Sequence, residues 1–273
     1  MTPETPETRG TLETMTYEVD GRIARITLNR PERGNGLTLA TPRELAACVE
    51  RANLDPAVHV IALAGNGKGF CGGYDLRVSA EGVGGQPSVG PPGSPLDSEV
   101  QRANHDPSGT WDPMTDYQMM ARNVRGFMSL FHSDKPVVCK VHGFCVAGGT
   151  DLALCSDLLV IEDVAKIGYP PARVWGVPTT ALWVHRIGLE KAKRLLFTGD
   201  CLSGREAVAW GLAIECAPRD QLDDRFETLL ARIARHTAEG HGFARRAVEA
   251  GFRTAVRERD DPFGDTGPST FKG

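Results

Sequence analysis

Apolar and polar residues change period along the chain, and each change predicts an element. Tyr17-Glu18-Val19 and Arg22–Leu28 alternate on either side of Asp20-Gly21, which predicts a hairpin ending at Asn29-Arg30-Pro31. Thr41-Pro42-Arg43-Glu44 predicts a helix start with a capping box, after which Leu45, Cys48, Val49 and Ala52 share a face. Val58 to Ala64 is a continuous apolar run, suited to a parallel strand buried on both sides. Met119, Val124, Phe127 and Phe131 predict a helix from about Thr115 to His132. Strand 136–141, a glycine-rich turn, helix 148–155, strand 158–161 and a short segment 166–169 follow, then a helix over 179–187. Ser203-Gly204-Arg205-Glu206 is a second capping box, and Gly211 closes that helix. A short strand over 213–216 and charged amphipathic helices over 220–258 complete the pattern.

Strands alternating with helices imply an α/β fold with right-handed crossovers and a parallel sheet. Residues 1–14 are polar and read as a disordered tail, 15–219 as the core, and 220–273 as a C-terminal helical region. Residues 79–113 are rich in Gly, Pro and Ser and read as a long irregular insert within the core.

Composition narrows the function. A chain of 273 residues, 41% hydrophobic and 24% charged, fits a soluble globular protein with a full core. A net charge of −4 offers no general attraction to nucleic acid or to anionic membranes. The seven cysteines form no CxxC pair and several lie in apolar runs, which predicts buried free thiols in a reducing compartment. Cys139, His142 and Cys145 lack a second ligand pair, so no metal is expected. The polar opening stretch has no signal-peptide core, and no apolar run approaches the roughly 18 residues that span a bilayer. A cytoplasmic location is the expectation.

Two glycine-rich segments carry candidate chemistry. Gly65-Asn66-Gly67-Lys68-Gly69-Phe70-Cys71-Gly72-Gly73-Tyr74-Asp75-Leu76 follows a buried strand. It reads either as a ligand-approaching loop or as a tight strand-to-helix connection. Lys140 through Leu154 runs from a strand through Gly143, Gly148 and Gly149 into a helix. Free N–H groups there suit an anion or a developing oxyanion; close helix–strand packing would also demand small residues.

Taken together, FCGGYDL and the later VHGFCVAGGTDLALCSDLLV resemble the two signature segments of the crotonase (enoyl-CoA hydratase/isomerase) superfamily. Asn29-Arg30-Pro31-Glu32 followed by Asn35 is similar to that family's early pattern, and the resemblance extends over about residues 15–235. It implies the crotonase spiral, a parallel-sheet superhelix of ββα units with a C-terminal helical region. It also implies an acyl-CoA thioester as substrate, with coenzyme A as part of it and no separate cofactor. A homotrimer or a dimer of trimers is implied too.

The family's oxyanion hole, two main-chain N–H groups, falls on Tyr74 and Gly148. Tyr74 is bulkier than the family's usual small residue and is expected to shape the acyl pocket. Arg33, Lys68 and Arg77 lie near positions that contact the nucleotide of CoA, and Gly73 is grouped with them. Family hydratases use two glutamates. The first falls on Asp151, expected as the general acid/base, and the second on Pro171, which has no acid/base chemistry. A further carboxylate position used by some isomerases and dehalogenases falls on Thr179. One carboxylate thus stands where two are expected. That leaves hydration, isomerisation, thioester hydrolysis and non-catalytic acyl-CoA binding open. Tyr169, His142, Asp75, Glu162, Arg173, Tyr117, Asp116 and Trp111 are further candidates near these segments.

Overall fold

The computed structural model describes residues 12–75, 88–174, 176–180, 182–236 and 248. The expected hairpin is present, with β1 (Met15–Asp20) and β2 (Ile23–Leu28) antiparallel in the register Met15↔Leu28 to Asp20↔Ile23. Gly21 opens the two-residue loop at φ 57, a conformation that favours glycine. β3 (Val60–Gly65), β4 (Val137–Val141), β6 (Leu158–Glu162) and β9 (Glu215–Ala217) add in parallel, giving a sheet in the order β1-β2-β3-β4-β6-β9. A second sheet of β5 (Phe144–Val146), β7 (Lys166–Gly168) and β8 (Cys201–Ser203) holds the site's second turn. β5 lies within what reads in sequence as a plain glycine-rich turn, because three residues are too few for a period to register.

The large sheet is covered on both faces, which is why its strands read as continuous apolar runs. Ile61, Leu63, Cys139, Val141 and Ile161 face one core with α1 (Ala40–Leu54), α3 (Pro113–Phe131) and α4 (Gly148–Ala153). Val60, Ala62, Val138 and Val160 face the other core, closed by Leu222, Phe226 and Leu230 of α8 (Arg219–Ala234). α1 packs along α3 so closely that a Cβ on Gly126 would lie 2.5 Å from the Cβ and the carbonyl oxygen of Pro42.

Helix ends both meet and depart from expectation. The box at α7 (Gly204–Trp210) forms, with Ser203 Oγ accepting from Glu206 N and Ser203 N donating to Glu206 Oε2 at 2.7 Å. The box at Thr41 does not. α1 starts at Ala40, and Thr41 Oγ1 instead accepts from Thr38 N at 3.1 Å. Glu44 turns away to accept from Glu13 N and Thr14 N, fastening the start of β1. A buried strand end with unmet N–H groups competes for that carboxylate and wins.

The segment read as an irregular insert contains α2 (Ser98–Asn104), capped by Asp97, and α3 starts at Pro113 under an Asp112 cap. α5 (Leu182–Ile187) and α6 (Leu189–Thr198) follow the second turn. Most of the expected tail, residues 79–87 of the insert, and all of the C-terminal region beyond 236 except 248 lie outside the described residues. Among the described residues no helix is long and apolar enough to cross a membrane. All seven cysteines are free, five of them buried.

Candidate active site

The first turn is shaped by Asn35. Its Nδ2 donates toward the carbonyls of Asn66, Gly69 and Phe70 at 2.8, 3.1 and 3.0 Å, and its Oδ1 accepts from Arg30 N at 2.9 Å. One buried amide thereby satisfies several backbone groups that the turn leaves without partners. Asn35 itself sits at φ 54, a region asparagine tolerates better than most residues. Leu37 then pairs beside Tyr74, with Leu37 N donating to Gly73 O at 2.8 Å and Asp75 N to Leu37 O at 2.9 Å. In a parallel bridge these bonds use the groups on either side of residue 74, so the N–H of Tyr74 points the other way.

The second turn is tied to the first through the main chain. Phe70 N and Cys71 N both donate to Phe144 O, and Val146 N donates to Cys71 O at 3.0 Å. Ala147 takes φ 52 and ψ −130, anchored by its N–H to Gly168 O at 3.1 Å. This bend brings Gly148 to the head of α4 with its N–H leading. The turns converge. A Cβ on Gly73, at φ 98, would lie 2.7 Å from Ala147 Cβ and 3.3 Å from Gly148 N.

Asp151 lies one helical turn beyond Gly148, fully buried. Its Oδ1 accepts from Thr179 N at 3.2 Å and from Thr180 Oγ1 at 3.4 Å, while its Oδ2 has no hydrogen-bond partner. Burial pushes its pKa from 3.8 up to about 6, against the lowering effect of the Thr179 and Thr180 contacts. A carboxyl so placed can take and release a proton near neutral pH. The hydroxyls of Tyr74 and Thr179 are likewise buried and without partners. Burial and the nearby Asp151 charge raise the Tyr74 pKa, keeping it a neutral hydroxyl. Tyr169, also raised by burial and then by Asp151, donates its hydroxyl to Val177 O at 2.7 Å.

Tyr74, Gly148 and Asp151 thus lie together, and Gly73, expected with the CoA-binding residues, lies beside them. Arg33 is drawn to the same turn but is engaged, its guanidinium meeting Asp75 at 2.6 and 3.2 Å while Arg30 reaches the same carboxylate at 2.9 Å. Burial pulls the Asp75 pKa upward, yet the bonds from Arg33 and Arg30 outweigh it and hold the carboxyl below its usual range. Lys68 is exposed on the first turn, and Arg77 lies outside the described residues. His142 Nε2 sits 2.9 Å from Gly67 O, an acceptor only, so it donates there as a packing group, and burial lowers its pKa. Glu162 accepts from Gly143 N at 2.7 Å and Arg173 binds Thr198 O and Asp200, so both brace backbone or surface. Trp111 and Tyr117 are exposed, and Trp111 donates to Asp116 at 2.8 Å.

Two contributors escape sequence reasoning. Thr180 gives no signal. Asn123 does, being a polar residue buried on the same α3 face as Phe127 and Leu130, and it flanks the Tyr74 hydroxyl.

A family model described as enoyl-CoA hydratase/isomerase matches residues 18–104 and 111–261. The chain belongs to this family. A crystal structure of an enoyl-CoA hydratase from Mycobacterium smegmatis is 52% identical, covers 89% of this chain and 79% of that one, and superposes with a TM-score of 0.81. A probable enoyl-CoA hydratase of Mycobacterium tuberculosis is 31% identical over 206 residues, 73% of this chain and 68% of that protein. A putative enoyl-CoA hydratase of Thermus thermophilus is 28% identical over 218 residues, 79% of this chain and 76% of that protein. The crotonase fold expected from the signature segments is therefore the fold of this chain.

Proposed function

We propose that this family member acts on an acyl-CoA thioester. The carbonyl oxygen sits between the main-chain N–H groups of Tyr74 and Gly148, and Asp151 moves the proton. The observation that carries the reading is the buried, unpartnered Oδ2 of Asp151 beside two turns that meet where a Cβ on Gly73 would lie 3.3 Å from Gly148 N. As a proton leaves or joins the carbon next to the thioester, charge grows on the oxygen, and fixed donors stabilise it at no reorganisation cost. Removing one such donor typically costs about 3–4 kcal/mol in a transition state. Proline at 171 leaves Asp151 as the carboxylate available for proton transfer.

In this reading coenzyme A arrives as part of the substrate and no other cofactor takes part. Lys68, Arg77 and the outer edge of Arg33 meet its phosphates, and Gly73 lets the chain approach it. The protein works in the reducing cytoplasm, in keeping with its free thiols. It assembles as a trimer or a pair of trimers, which light scattering on an eluting peak measures directly.

A spectrophotometric assay with crotonyl-CoA, run beside NMR detection of deuterium entering the α-position of butyryl-CoA, tests the chemistry. One or both activities are expected, and Asp151→Ala should remove them. Undiminished turnover in Asp151→Ala would end the acid/base assignment.

A further inference from the structure

Three polar atoms are left without partners at one place: Asp151 Oδ2, Thr179 Oγ1 and Tyr74 Oη, each buried. A buried polar group without a hydrogen bond is costly, and three converging ones call for a shared explanation. Their convergence is set by the backbone. Thr179 is bonded through its own N–H to the other oxygen of Asp151, and the Tyr74 ring lies against Gly148, one turn before Asp151 on the same helix. The Tyr74 hydroxyl lies within interaction range of Asn123 and Thr179, and Thr179 within range of Asp151, so the three atoms border one another.

We propose, resting on the acyl-CoA reading above, that Tyr74 and Thr179 supply the hydroxyls that hold the reacting water against Asp151, doing the positioning work of the absent second carboxylate. The class of substrate is then a 2-enoyl thioester and the reaction is hydration. The chemistry balances with one carboxylate. Asp151 Oδ2 takes a proton from the water as its oxygen bonds to the β-carbon. The double-bond electron pair moves to the thioester oxygen, held by the N–H groups of residues 74 and 148. As that enolate collapses, Asp151 returns the proton to the α-carbon. The sum is one water added across one double bond, with the protein unchanged. The two hydroxyls each have a lone pair and a proton, so both can orient the water without ionising. Thr179 is therefore the residue through which a position that elsewhere in the family carries a carboxylate still serves the reaction.

The test uses the full chain, with crotonyl-CoA for hydration and butyryl-CoA in heavy water for α-proton exchange. Tyr74→Phe keeps the ring over Gly148 and the main-chain N–H, and removes only the hydroxyl. Hydration should fall about tenfold, the effect of one lost hydrogen bond to a reacting group, and should fall by more than α-proton exchange, which adds no water. Thr179→Val should behave the same way and Thr179→Ser should recover hydration. A general packing defect would lower both reactions together, and would lower the unfolding midpoint, which loss of an unpartnered hydroxyl should leave equal or higher. Wild-type hydration unchanged in Tyr74→Phe and Thr179→Val would overturn the proposal and leave the acyl-CoA reading standing. A wild type that neither exchanges butyryl-CoA nor binds it by calorimetry would overturn both.

Discussion

The ring of Tyr74 lies against the α-carbon of Gly148: a Cβ added to Gly148 would sit 2.7 Å from Cε2 and 2.9 Å from Cδ2 of the ring, and 3.0 Å from a methyl of Leu37. Gly148→Ala must therefore displace the ring or the helix start. Either movement misaims one of the two amides proposed to serve the carbonyl oxygen. We expect kcat on the thioester to drop by about a hundredfold or more, in line with loss of one oxyanion donor. Retention of full kcat would show that the displacement leaves both donors aimed, or that these amides do not serve the reaction.

Asp151 ties activity and stability to pH in opposite senses. As a base it must be ionised, so kcat/KM should rise with pH through about 6. For stability the sign is fixed by the raised folded-state pKa. The contribution of the protonated group is full below 3.8 and is lost as the pH rises through about 6. Above that, the buried charge costs roughly 3 kcal/mol. Asp151→Asn should accordingly be inactive yet unfold at a higher temperature at neutral pH, with its advantage shrinking as the pH falls below about 6. Thermal scans across that range measure it.

Asn35→Asp exchanges the Nδ2 donor for a second acceptor facing the carbonyls of Asn66, Gly69 and Phe70. Leaving buried acceptors unmet costs about 1–3 kcal/mol, and a carboxylate there adds repulsion. Chemical denaturation should show a loss in that range or beyond, and thioester affinity should weaken with it, because the first turn loses its frame.

Ser203→Ala removes the cap of α7 while touching nothing in the site. The expected loss is about 1 kcal/mol of stability with kcat and KM unchanged. Any change in kcat would mean that β8, whose last residue is Ser203, transmits strain to β7 and so to Ala147, which hangs from Gly168.

The parts of the fold legible in sequence are those governed by local rules. The hairpin at Gly21, the Ser203 box and the apolar run of β3 each depend on neighbours in the chain, and each appears where expected. Tyr74, Gly148 and Asp151 are legible as candidates only through the resemblance of the two glycine-rich segments to the family's signatures, since either segment alone reads equally well as close packing. Glu44 misled because its competing partners, Glu13 N and Thr14 N, are distant in sequence. The pairing of Arg33 with Asp75 is not legible because nothing local announces that carboxylate across the turn. Thr180 joins Asp151 only through the tertiary path of the chain between β7 and α5.

The cross-tie between Phe70, Cys71, Phe144 and Val146 is made of peptide groups alone. On the proposed reading, the grip on a carbonyl is thus indifferent to what decorates it. A lineage can exchange the groups at 151, 171 or 179, and with them the reaction, while the same handle keeps hold of the same kind of molecule. Anyone wishing to redirect this protein toward a different thioester transformation should leave those four peptides alone and rewrite the side chains around them.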